Sequence, residues 1–135
     1  YLAENEIEKL KHVQLISDYL SNRQEDIKLY NETNNIDKSL LINGRNLTNL
    51  GIFRKYLLSY IENHPAINKD LTIMVRQLEP TAHGLPLEIY AFSNDNRWTN
   101  YEYIMADIFD HAIAAVSFFN LEIYEYPTEI SNLTN

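Results

Sequence analysis

From Ala3 to about Asn31, apolar side chains recur at Ile7, Leu10, Val13, Ile16, Leu20, Ile27 and Tyr30. The gaps are mostly three or four residues, which is the period of one helical face. Residues 1–43 contain neither Gly nor Pro until Gly44, and Glu6 with Lys9, Glu8 with Lys11 and Glu25 with Lys28 add weak same-face charge pairs. The pattern therefore predicts one long helix of about 28 residues, on the order of 42 Å at 1.5 Å per residue. That exceeds one side of a compact domain of this size, so the helix is expected to project, to break near "SNRQ", or to pack on another chain. "NETNNID" supplies turn-forming residues that end it.

Beyond residue 38 the periods alternate. "SLLI" (39–42) is a short strand candidate and "NGR" a turn. Thr48 or Asn49 is placed to cap a second helix whose buried stripe is Leu50, Phe53, Leu57, Tyr60 and Ile61, and Pro65 ends it. "LTIMVRQLE" (71–79) and "LPLEIYAF" (85–92) read as antiparallel strands joined by the hairpin loop "PTAHG". Ile73 and Val75 point one way and Met74, Arg76 and Leu78 the other; Leu87, Ile89 and Ala91 oppose Glu88, Tyr90 and Phe92. "SNDN" is a turn before a helix entered at "RWTNYEY" and running to about Phe118, with Tyr101, Ile104, Met105, Ile108, Ala112 and Ala115 or Val116 inward. "LEIYEY" (121–126) is a last strand stopped by Pro127.

Strand, helix, strand, strand, helix, strand is the split βαβ, ferredoxin-like plan. The expected class is α+β: a four-stranded antiparallel sheet, its first strand short or missing, with two helices on one face and a long N-terminal helix. The expected organisation is an accessory helix and linker at 1–38, the α/β domain at 39–127 and a loose tail at 128–135.

Composition narrows the partners. The 135 residues are 45% hydrophobic and 22% charged, as in a globular domain with a real core. Net charge is −8, and no basic run occurs, which disfavours nucleic acid and anionic lipid. An acidic surface of this kind attracts cations within about 8 Å at physiological salt. There is no cysteine, hence no disulfide, thiolate metal site or cysteine nucleophile. The most apolar stretch, "IMADIFDHAIAAVSFF", is interrupted by Asp107, Asp110 and His111, short of the roughly 18 residues that span a bilayer. The chain opens at Tyr1 with no charged-then-apolar leader after it, which leads us to expect either a processed chain or, ahead of that, a piece cut from something longer.

Candidate chemistry is sparse. Asp107 and His111, four apart in "DIFDH", share a helix face as a metal pair would, but a stable site needs three or four ligands. A core-edge histidine bonded to a neighbouring carboxylate or carbonyl is the plainer expectation, so no metal and no cofactor is assigned. Arg76 and Glu88 are expected to pair across the strands, contributing about 0–1 kcal/mol. Ser59, Ser93 and Ser117 have no nucleophile-elbow context, and His64 and His83 sit at turns. Gly44, Gly51 and Gly84 are too scattered to cradle a phosphate, and ten tyrosines without a basic surface do not make a nucleic-acid platform. "NET" and "NLT" are glycosylation triplets by spelling only. Trp98 either staples the helix to the sheet edge or anchors a partner, and with Arg97 and Arg76 it forms the set of interaction candidates. No catalytic residue is identified, and the expectation is a domain that is not an enzyme.

"NGRNLTNLGIFRKYL", "HPAINKDLTIMVRQLEPTAHGLPLEIYAF" and "ADIFDH", preceded by "EIEKLKHVQLISDYL", together resemble the cytoplasmic C-terminal region of mechanosensitive ion channels of the small-conductance (MscS) family, miniconductance branch. The resemblance covers almost all of residues 6–124. It implies a homo-oligomeric channel, commonly a heptamer, on the cytoplasmic face of the bacterial inner membrane. Its α/β domain would wall a vestibule through which ions and small solutes reach the pore. Partners would be other subunits and the rest of the channel, and residues for gating would lie elsewhere. Two other classes remain open: a soluble regulatory module binding a small osmolyte or signalling ligand, and a metal-dependent hydrolase built on Asp107 and His111.

Overall fold

The computed structural model describes residues 1–94 and 97–125, the side chain of Trp98 excepted. Tyr126, the expected tail 128–135 and part of the "SNDN" turn lie outside the described residues.

The N-terminal apolar period does not produce one helix. Helix α1, Glu4–Leu10, stops at a turn over Lys11 and His12, and Val13 is extended. A 3-10 turn, Gln14–Ile16, then leads into α2, Ser17–Thr33. The break falls at residues 11–13, and "SNRQ" lies inside α2 without interruption. Burial explains the position. Leu2, Ile7, Leu10, Ile16 and Leu20 all enter the core, Ile16 and Leu20 with no exposure at all. A straight helix would carry Leu20 roughly 20 Å from Ile7, whereas both belong to one core cluster. The Glu6 carboxylate accepts from the Ala3 N–H at 3.2 Å, half of a capping box. The expected stop is where "NETNNID" places it: Asn34 closes α2 and Asn35 takes φ 54°.

Helix α3, Asn49–Glu62, is the spine. Thr48 Oγ1 accepts from the Gly51 N–H at 3.1 Å, which resolves the cap in favour of Thr48. Ile52, Phe53, Leu57 and Ile61 are buried, while Leu50 and Tyr60 are only half covered. Strand β1, Met74–Gln77, pairs antiparallel with β2, Leu87–Tyr90, in the register Arg76 opposite Glu88. Val75 faces the core with Ile73, Leu87, Ile89 and Ala91, and Met74, Leu78, Tyr90 and Phe92 are exposed on the other face, as the alternation predicts. The hairpin closes through a Thr81–Gly84 bridge. Helix α4, Trp98–Ala115, continues as a 3-10 turn, Val116–Phe119. Ile108 is its buried centre, packed with Ile104, Met105 and Ala112, whereas Tyr101, expected inward, is 39% exposed.

The four-stranded ferredoxin-like sheet is not formed: among the described residues the sheet has two strands. "SLLI" is a turn with Leu40, Leu41 and Ile42 turned outward. Its backbone is claimed by the Lys38 ammonium, which donates to Leu41 O, and by the Asp37 carboxylate, which accepts from the Ser39 N–H, instead of a neighbouring strand. At the other end Asn120 takes the left-handed conformation, φ 56°, and sends residues 121–125 past the hairpin tip. There Tyr124 meets the His83 ring at 5.0 Å, a side-chain contact and not a ladder. A short bridge of Ile67 with Ser93 extends the β2 side, with Asn68 N–H donating to Phe92 O. The result is a layer of helices on one face of a hairpin whose other face is exposed among the described residues.

Candidate functional site

The polar chemistry of the molecule converges between α3 and α4. Tyr56, Tyr60 and His64 are four apart, so they line one face of α3 and its exit, opposite Asp107 and His111 of α4. The His111 Nε2 and the Tyr56 hydroxyl are 2.6 Å apart. The Tyr60 ring stacks on the His111 imidazole at 3.8 Å between centroids with 3° between planes. His64 Nε2 lies 2.9 Å from Asp107 Oδ2. His64 Nδ1 accepts from the Ala66 N–H at 3.1 Å, so the proton of the neutral ring sits on Nε2 and is donated to Asp107. Pro65 shapes this exit: it ends α3 and turns Ala66 back toward the ring.

Burial raises the Tyr56 hydroxyl above its ordinary range. Tyr60 is raised as well, first by burial and then by the negative charge of Asp107 and by Tyr56. Both phenols are therefore neutral at physiological pH.

Asp107 and His111, the pair singled out in the sequence, do share a helix face, but each is turned to a different partner: Asp107 to His64 and His111 to Tyr56. Among the described residues no group of three His, Cys, Asp or Glu converges as a metal site. His64 is more than a turn residue. It bridges two helices, and its spacing of four from Tyr60 and eight from Tyr56 was the available signal. What this arrangement does chemically is to fasten α4 to α3 through aromatic, imidazole and carboxylate groups. Ser59 is buried in α3, and Ser93 sits in the bridge to Ile67.

The interaction candidates lie elsewhere. Arg76 makes a forked contact with Glu88, Nε and Nη2 reaching Oε1 at 2.9 and 2.7 Å, on the exposed sheet face. Arg97 is the exposed N-cap residue of α4, and Trp98 begins that helix.

The larger feature is uncovered apolar surface. Accessible area is 9787 Å². A compact monomer of 15.9 kDa exposes about 7,400 Å². Even granting residues 126–135 their entire unfolded-chain area, about 1,600 Å², an excess of roughly 800 Å² remains. It includes Met74, Tyr90 and Phe92 on the bare sheet face, Phe109 and Ile113 on the outer side of α4, and Leu40 and Ile42. A groove of about 1130 Å³ opens between α3, the hairpin and α4. Among the described residues no helix is long and apolar enough to cross a membrane.

No family model matches the chain, and no solved structure matches it.

Proposed function

We propose that this chain is a non-catalytic assembly domain, and that the assembly is the cytoplasmic vestibule wall of a tension-gated channel of the small-conductance family. The observation that carries the first part is the excess apolar surface on a chain whose polar side chains are spent on fastening its own helices. Isolated apolar residues on a surface are ordinary, but contiguous faces of this extent belong to interfaces. The long stretches of wording in residues 6–124 supply the kind of assembly: a homo-oligomer beneath a membrane pore, at the inner face of the bacterial membrane. The charge of −8 fits that setting, because an acidic wall repeated around a ring enriches cations near the pore without binding any tightly.

The test is suction on membrane patches from cells producing the whole polypeptide that contains these residues. Tension-activated currents are expected, with permeation altered when residues 1–135 are removed. Patches that reach lysis without such currents would reject the channel assignment. Saturable micromolar heats on titration with small osmolytes would instead favour a ligand-binding regulatory module in the groove.

A further inference from the structure

We propose that the Leu40–Ile42 tip of one copy of this chain seats in the groove between α3, the hairpin and α4 of a second copy. The inference rests on the assembly reading and gives it a specific contact.

The tip is built to stand out. Lys38 Nζ donates to Leu41 O at 2.9 Å, to Asn46 Oδ1 at 2.6 Å and to Asn43 O. Asn43 Nδ2 donates to Asp37 O at 2.8 Å, and the Ser39 N–H donates to Asp37 Oδ1 at 2.9 Å. The Asn31 amide group closes the base, accepting from the Arg45 N–H and donating to Arg45 O. All but the Lys38–Asn46 bond hold the backbone, and none involves the three aliphatic side chains, which are 62%, 49% and 67% exposed. A loop fixed in this way loses little conformational freedom when its tip is covered, which is the condition for an efficient contact.

The groove offers what the tip lacks. Phe53, Leu87, Ile113, Val116 and Leu121 line it, with Glu122 and Glu125 at its border. Lys38 is bonded only to neutral oxygens and Arg45 lies over the Tyr30 ring, so both keep their charge. With Asp37 as its one carboxylate, the 37–46 loop keeps a net charge of +1 from Lys38 and Arg45, which is complementary to the carboxylates of the groove. No residue of the 37–46 loop lines the groove of its own chain. Tip and groove are different surfaces, so the contact is head-to-tail, the type that closes rings when the rotation allows.

The chain has no cysteine, which makes thiol pairing a clean probe. One preparation carries Ile42→Cys and a second carries Ile113→Cys; both positions are exposed, so folding is unaffected. Under mild oxidation the mixture is expected to give disulfide-linked dimers at least about ten-fold faster than either variant alone, because docking raises the local thiol concentration. Wild-type protein is followed by sedimentation alongside. Equal rates in the mixture and in the single variants overturn the contact, as does wild-type self-association without mixed dimers, which leaves the assembly reading intact. Wild type that stays monomeric, with no mixed dimers, overturns both. Flotation with phospholipid vesicles that Ile42→Asp abolishes would assign the tip to lipid and likewise overturn the proposal.

Discussion

Gly44→Ala is the most informative single change to the fold, because its cost can be worked from distances. Gly44 has φ +70°, and a β-carbon there would stand 2.3 Å from Asn31 Oδ1 and 2.7 Å from Ile36 Cγ2. Placing Ala in the left-handed region costs about 1–2 kcal/mol. Ile36 can give way by turning its side chain, but Asn31 is 92% covered and holds both the N–H and the C=O of Arg45. Displacing it loses two hydrogen bonds, each worth about 0.5–1.5 kcal/mol. The expected destabilisation is therefore about 2–5 kcal/mol, measured as the shift of the urea unfolding curve followed by circular dichroism. The diagnostic is the background: in an Asn31→Ala chain the amide is already gone, so adding Gly44→Ala should cost at least about 1 kcal/mol less than in wild type. Gly84→Ala, at φ +113° with no atom within 4 Å, isolates backbone strain without a clash. Equal costs of Gly44→Ala in the two backgrounds would refute the close approach of this loop to α2.

Further expectations follow from the core, the aromatic cluster and the sheet. Phe119→Ala, which empties a site packed against Phe53 at 5.3 Å and Tyr56 at 5.2 Å, should cost about 3–5 kcal/mol in chemical denaturation. The Tyr60 phenol is raised in the folded chain and sits near 10.0 in the unfolded one. Its contribution is thus complete below pH 10 and lost as pH rises through the folded value, so urea midpoints should fall above pH 10 and fall less steeply in Tyr60→Phe. Arg76→Ala should cost no more than about 1 kcal/mol in thermal melts, an effect shrinking with added salt, since Arg76 and Glu88 are both well exposed.

Local periodicity made much of this molecule legible. Period-two alternation over 71–92 placed the hairpin, its register at Arg76 and Glu88 and both of its faces, because side-chain direction in a strand is fixed by count alone. Thr48 and Pro65 marked α3 for similarly local reasons. The failures are tertiary. The turn at Lys11–Val13 carries no Gly or Pro, and is imposed by the need to bury Ile7 and Leu20 in the same core. "SLLI" and the described part of "LEIYEY" have strand-forming composition, yet a strand needs a neighbour; Lys38 and the left-handed Asn120 direct these segments elsewhere. At the candidate site, the four-residue spacing of Asp107 and His111 was visible, but their partners His64 and Tyr56 lie 43 and 55 residues away. Only packing of α4 on α3 joins them.

The central claim is that the uncovered apolar faces exist to meet other copies of the chain. Sedimentation equilibrium over a range up to about 1 mM, where contacts as weak as a millimolar Kd are populated, compares wild type with a Phe109→Glu, Ile113→Glu double variant. Both substitutions are on exposed positions of α4, so circular dichroism should be unchanged. The account predicts a mass that rises with concentration for wild type and stays at one chain for the variant. A wild-type mass of 15.9 kDa at every concentration would contradict it.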